Sequence, residues 1–179
     1  MAAKDMLGEA AEVRAATPRD AAAICAIYNH YVVNSWFTFE EEPVSVGEMA
    51  TRIRDLTASM PWFVAGRGGE IVGYAYGNKW KDRAAYRLSA EVTIYLDREF
   101  TGRGIGLVLY TRLIDELLSR GFHTIIGGIA LPNAASQRLH ENAGFMKVAH
   151  FEGVGLKFGR WIDVGYWQLA GHLWGHDKK

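Results

Sequence analysis

Apolar positions along this chain change period several times, and each change marks an element. Beyond Asp20 they recur at Ile24, Ile27, Tyr28 and Tyr31, the three-and-four spacing of one helix face. Thr17-Pro18-Arg19-Asp20 places a capping residue and then Pro at the first helical position, which starts that helix. Ser45 followed three residues later by Glu48 predicts a capping box, with Met49, Ile53 and Leu56 facing inward. Val13–Ala16 reads as a short first strand, and Trp62–Ala65 and Ile71–Tyr76 as two more, joined by Gly66-Arg67-Gly68-Gly69-Glu70 as a hairpin. A further strand runs from about Arg87 to Leu96, so three antiparallel strands precede the most distinctive stretch of the chain.

That stretch is a glycine-rich turn, Thr101-Gly102-Arg103-Gly104-Ile105-Gly106, leading into a helix from Leu107 to Ser119. The strand Thr124–Ala130, a short helix Ala134–Asn142, and two strands, Met146–Val154 and Trp161–Leu169, complete the pattern, the last pair turning at Lys157-Phe158-Gly159-Arg160. The order predicts one α+β domain with a mixed, twisted central sheet flanked by helices. It spans 13–170, between a flexible extension at 1–12 and a tail at 171–179. Asn34–Phe39 carries three aromatics without periodicity, which act either as a lid over a site or as anchors onto the core.

Composition narrows the picture modestly. A length of 179 residues suits one domain with a full core. The formal net charge of zero, with no Lys/Arg cluster, argues against nucleic acid or an anionic membrane as the partner. Cys25 is the only cysteine, so no internal disulfide forms, and it lies on the same apolar helix face as a packed thiol. No apolar run reaches the length of a membrane span, and the expected location is cytoplasmic. His172 and His176 have helical spacing but no third ligand nearby, so no metal site is expected.

Glycines between a strand and a helix let backbone N–H groups converge at the positive end of the helix dipole, a seat for phosphate oxygens. A P-loop would require Gly-Lys-Ser/Thr at its end, where this chain has Gly106-Leu107-Val108. A dinucleotide fingerprint would require G-x-G-x-x-G spacing and an acid about 20 residues on, neither of which is present. A purely structural helix start remains an alternative on the turn alone.

The turn resembles the acyl-CoA signature of the GNAT N-acetyltransferase superfamily, Gln/Arg-x-x-Gly-x-Gly/Ala, with Thr101 in place of the usual Gln or Arg. Asn133-Ala134-Ala135-Ser136 and Leu139-His140-Glu141-Asn142-Ala143-Gly144-Phe145 resemble the superfamily's other cofactor segment. Tyr28-Asn29-His30-Tyr31, Trp80-Lys81-Asp82-Arg83, Ala90–Tyr95 and Lys157–Val164 bring the likeness closest to the phosphinothricin/methionine sulfoximine acetyltransferase branch, over nearly all of Val13–Leu169.

The resemblance implies acetyl-CoA as donor and direct attack of an amine on its thioester. Pyrophosphate donors would come from Gly102, Arg103, Gly104, Ile105, Gly106 and Leu107. The pantetheine would lie between splayed strands at Ile94-Tyr95-Leu96 and Ile129–Leu131, with an N–H near Ile94 as oxyanion donor and Asn133 and Ser136 as further contacts. Glu91 occupies the general-base position. His140 stands where most of the superfamily has Tyr, and serves either as proton donor to the leaving thiolate or as packing. Phe39, Lys81, Asp82, Arg83, Tyr86, Glu91, Val92 and Thr93 are the acceptor-site candidates, Lys81 and Arg83 being suited to a carboxylate or, on the bland reading, solvated connection charges. The expected acceptor is a small amino-acid-like amine, and the expected assembly is a homodimer. Two other functions share the fold: an acetyltransferase for a protein N-terminus, lysine or polyamine, and a non-catalytic acyl-CoA sensor.

Overall fold

The computed structural model describes residues 11–173. The strands are β1 (Glu12–Ala15), β2 (Trp62–Arg67), β3 (Glu70–Lys79), β4 (Ser89–Leu96), β5 (Thr124–Ala130), β6 (Met146–Lys157) and β7 (Arg160–Ala170), and the helices α1 (Ala21–Asn34), α2 (Val46–Thr57), α3 (Ile105–Ser119) and α4 (Ala134–Asn142). One seven-stranded sheet has the order β1-β2-β3-β4-β5-β7-β6. Every neighbouring pair is antiparallel except β4 and β5, which are joined through α3.

Both hairpins are tighter than the sequence suggests. Gly68 and Gly69, with φ of 58° and 84°, and Phe158 and Gly159, with φ of 51° and 70°, form two-residue turns in the left-handed region. That geometry matches the twist of the flanking strands and lets them run right up to the turn. The capping box at α2 is only half made. Ser45 accepts from the Glu48 N–H at 3.1 Å, but the Glu48 carboxylate turns outward to Arg52.

The sheet buries its two faces under different layers. α3 lays Ile105, Leu109, Tyr110, Leu113, Ile114 and Leu117 on one face, against Phe63, Ala75, Ala90, Val92, Ile125 and Trp167. On the other, α1 and α2 contribute Ile24, Cys25, Ile27, Tyr28, Met49 and Ile53 against Trp62, Val64 and Tyr74. Cys25 is 3% exposed, and its thiol, which burial pushes up, donates to the Val44 carbonyl at 3.0 Å. It is a packed side chain.

The aromatic stretch after α1 is anchored by a polar lattice that the sequence pattern did not announce. The Tyr28 hydroxyl meets the Thr38 and Glu40 side chains at 2.7 and 2.9 Å, and Arg52 pairs with Glu40. From the far edge of the sheet, the Lys157 ammonium, 1% exposed, donates to the Thr38 carbonyl at 2.7 Å. This strap sets Phe39 down on Gly155 of β6, where an added Cβ would come within 2.3 Å of the ring.

Candidate active site

The site lies where the sheet opens. β4 and β5 pair only at Ser89↔Thr124, Ala90↔Ile125 and Glu91↔Ile126, and beyond Glu91 they diverge. Ladder alternation tells which backbone groups face the gap. The Asp97 N–H donates to Val72, so in β4 the odd residues bond to β3 and the groups of Ile94 turn toward β5. The Leu131 N–H donates to Asp163, so in β5 the odd residues bond to β7 and those of Gly128 and Ala130 turn toward β4.

The Ile94 groups therefore face the gap, and the Leu96 N–H, two residues on, turns the same way, while the alternate residues are spent elsewhere. Tyr95 gives its backbone to Tyr74 of β3, and its ring packs among Tyr28, Tyr31 and Tyr74. The Leu96 carbonyl already accepts the Tyr31 hydroxyl at 2.6 Å. Gly128 and Ala130, and not Ile129 and Leu131, line the gap from β5, because register along a strand decides which alternate residues point away from the neighbour.

At the end of the gap the glycine turn opens α3. Gly104 is its capping residue at φ 80°, and Gly102 sits at φ 73°, values that only glycine adopts without strain. A Cβ on either would meet nothing within 4 Å, so the cost of a side chain there is conformational. The amides of Ile105 and Gly106, in the first turn, have no intrahelical acceptor. Leu107 is different: its N–H donates to the Gly104 carbonyl at 3.1 Å. Thr101 directs its hydroxyl back to the Arg98 carbonyl at 2.9 Å, and the Arg103 guanidinium lies over Phe100. Gly106 has a packing duty as well, since an added Cβ would stand 3.1 Å from Leu96 and 3.5 Å from Leu139. Gly104→Ala is expected to cost about 1–2 kcal/mol in the left-handed conformation. A donor coenzyme seated here should then bind roughly tenfold more weakly by calorimetry.

Successive residues of β5 point to opposite faces, and this separates the two catalytic candidates. A Cβ on Gly128 would lie 3.4 Å from Glu91 Oε1 and 3.1 Å from the Tyr166 ring, on the α1 side. One on Gly127 would lie 2.2 Å from His140 Nε2, on the α3 side. Glu91 is half-buried, and burial raises its carboxyl above the ordinary value while the Lys81 charge pulls it partly back. His140 is 3% exposed. Its Nδ1 is 2.8 Å from the Ser136 carbonyl, which only accepts, so Nδ1 carries the proton. Nε2 then accepts the Tyr110 hydroxyl at 2.8 Å. Burial drives the imidazole pKa down to about 4, so the ring is neutral with both nitrogens engaged inside the protein.

The other expected residues divide clearly. Asn133 caps α4, its Oδ1 accepting from the Ser136 N–H at 3.1 Å. Thr93 shares the Glu91 face and stands opposite Tyr76 of β3. The Val92 side chain, 4% exposed, points to the α3 side, away from the face of the Glu91 carboxylate. Lys81 lies 4.8 Å from the Trp80 ring centroid and within electrostatic reach of Glu91. Asp82, Arg83 and Tyr86 are exposed along the same connection, with no hydrogen bond or ion pair to Glu91 among the described residues. Tyr166 and Gly128, which do stand beside Glu91, carry no local motif that would have marked them.

A parallel pair that splays beside a glycine-capped helix defines an acyl-CoA-type transferase fold. The chain matches the acetyltransferase (GNAT) domain family over residues 13–165 and belongs to that family; it is an acyltransferase. It is 39% identical over 157 residues to the phosphinothricin N-acetyltransferase of Streptomyces viridochromogenes, covering 88% of this chain and 86% of that one. To the L-methionine sulfoximine/L-methionine sulfone acetyltransferase of Salmonella typhimurium it is 35% identical over 158 residues, 88% and 92% of the two chains. The phosphinothricin acetyltransferase of Sinorhizobium meliloti, solved in complex with acetyl-CoA, superposes with a TM-score of 0.87 at 35% identity, over 90% of this chain and 89% of that one. Among the described residues no group of three or more His, Cys, Asp or Glu could hold a metal ion, and no helix is long and apolar enough to cross a membrane.

Proposed function

We propose that this protein transfers the acetyl group of acetyl-CoA to the α-amine of a small amino-acid-like acceptor of the methionine sulfoximine or phosphinothricin type. The observation that carries the reading is the position of Glu91, whose half-buried carboxylate stands on the last paired residue before β4 and β5 part. First-turn amides at Ile105 and Gly106, with Gly102, Arg103 and Gly104, would hold the pyrophosphate. Ile94 and the inward-turned groups of Gly128 and Ala130 would hold the pantetheine amides and the thioester oxygen. Glu91, directly or through one water, takes a proton from the ammonium of the acceptor. The freed amine nitrogen attacks the thioester carbon, charge developing on the carbonyl oxygen is met by the Ile94 N–H, and the C–S bond breaks as the surplus proton on the newly bonded nitrogen passes to the departing sulfur, leaving the amide and the free thiol. The internal engagement of both His140 nitrogens supports a positioning part for that ring. Lys81 faces the acceptor carboxylate as a point charge.

The exposed apolar edge of the sheet supports a homodimer. Met146, Val154, Leu156 and Trp161 of the β6–β7 hairpin are 63%, 58%, 51% and 68% exposed, a hazard for an unpaired edge strand. The lone buried thiol and the acetyl-CoA donor fit a cytoplasmic enzyme.

A thiol-release assay with methionine sulfoximine, phosphinothricin, free amino acids and a basic peptide tests the proposal. Turnover with the small acceptors and none with the peptide is the expected result. Turnover with the peptide alone would move the acceptor class, and acetyl-CoA binding without any turnover would make the chain a sensor. Lys81→Ala is expected to raise the acceptor KM about tenfold with kcat little changed, the mark of a lost ground-state contact.

A further inference from the structure

Three aromatic rings from parts of the chain that are remote in sequence meet at Tyr166, the ring that stands beside Glu91. Tyr166 of β7 lies across Gly128 from the carboxylate, with only the bare glycine backbone between them. Two rings stand edge-on to Tyr166: Trp80 at a centroid distance of 5.5 Å and 77°, and Phe151 of β6 at 5.7 Å and 85°. Trp80 follows β3, so the corner is built from three separate elements. It is open to solvent, Phe151 being 51% exposed and Trp80 and Tyr166 half-buried. Neither face of the sheet's hydrophobic core includes these rings, so packing of the fold does not account for them.

The corner lies between two opposite charges, the Glu91 carboxylate and the Lys81 ammonium seated on the Trp80 ring. Its own surface is aromatic, and a polarisable side chain gains favourable contact with the ring edges and faces. Gly128 keeps the passage from this corner to Glu91 clear, since a methyl group there would fill the space beside the carboxylate and crowd the Tyr166 ring at 3.1 Å.

We propose that Phe151 and Tyr166, with Trp80, form the subsite for the acceptor's side chain and determine which amino acids the enzyme acetylates, with Gly128 keeping that subsite open to Glu91. The inference rests on the reading of the site as an amino-acid acetyltransferase. Steady-state kinetics with L-methionine sulfoximine, L-methionine, L-glutamate and L-lysine separate the two. Wild type is expected to favour the two uncharged acceptors. Phe151→Ala, an exposed position that leaves the core intact, and Tyr166→Leu are each expected to raise KM for those acceptors about tenfold, the worth of one lost apolar contact. The acetyl-CoA KM should hold, and the preference over glutamate should shrink in step. Unchanged acceptor KM and unchanged preference in both the Phe151 and Tyr166 variants would overturn this assignment while leaving the acetyltransferase reading in place. A wild type that acetylates neither these four nor phosphinothricin would remove the reading itself, and the subsite with it.

Discussion

Glu91→Gln is expected to lower kcat by about two to four orders of magnitude, the usual contribution of a positioned general base, while the affinity for acetyl-CoA is unchanged. Glutamine keeps the size and the hydrogen-bonding oxygen of the side chain but cannot take a proton, so binding and chemistry separate. The direction of the carboxyl's shift adds a second signature. Burial raises its pKa, with Lys81 opposing. The acidic limb of the kcat/KM profile should therefore lie above the ordinary glutamate range, and Glu91→Gln should abolish it. Stability runs the other way. A carboxyl whose folded pKa is raised holds its proton longer in the native state, so its ionisation weakens the fold as pH rises through that value. The variant is expected to melt no lower than wild type at neutral pH. Stopped assays of thiol release across pH, with thermal melts of both proteins, check all three points; undiminished turnover in the variant would remove Glu91 as the base.

Acidification is expected to destabilise the protein through His140, by roughly 3 kcal/mol between pH 6.5 and pH 4. The ring is neutral in the folded protein with a pKa of about 4, chiefly because of burial, with the Ser136 carbonyl contact acting in the opposite direction. The unfolded chain binds a proton at an ordinary histidine pKa. A base whose folded value is depressed contributes stability that is present above the unfolded pKa and is lost as pH falls through the window. Asp20, held down to about 2 mainly by its hydrogen bonds with Arg14, gives way only at lower pH. Glu91 contributes with the opposite sign. Urea titrations at pH 7.5 and pH 4.5 should show the loss in wild type and a much smaller one in His140→Leu, itself less stable at neutral pH because the Tyr110 hydroxyl loses its acceptor. Equal acid sensitivity in both proteins would show that His140 does not titrate in this range.

How much of the molecule could be read from the sequence depended on whether the information was local. The β5 strand and the α4 helix stand where the pattern placed them, at Thr124–Ala130 and Ala134–Asn142, because periodicity and caps act within a few residues. The glycine turn was equally legible, since Gly102 and Gly104 occupy φ values that a side chain would resist. Glu91 could be placed through its motif. What the local pattern leaves open is any role that depends on a distant residue. Val92 follows Glu91 in sequence, yet a strand sends their side chains to opposite faces. Tyr86, Asp82 and Arg83 are exposed on the same connection as Lys81, and their place relative to the site is set by that connection and not by the local pattern. The strap through Lys157 and Thr38 joins residues more than a hundred positions apart, and nothing local in either predicts it.

By itself the sequence determined the order of elements, the seat at the start of α3 and the family, because each is written in short-range pattern. Only the tertiary structure decided which face of β5 belongs to Glu91 and which to His140, which amides turn into the gap, and that Trp80, Phe151 and Tyr166 converge. Those facts follow from strand register and sheet order, which bring remote segments together through backbone pairing that leaves no mark on the local composition.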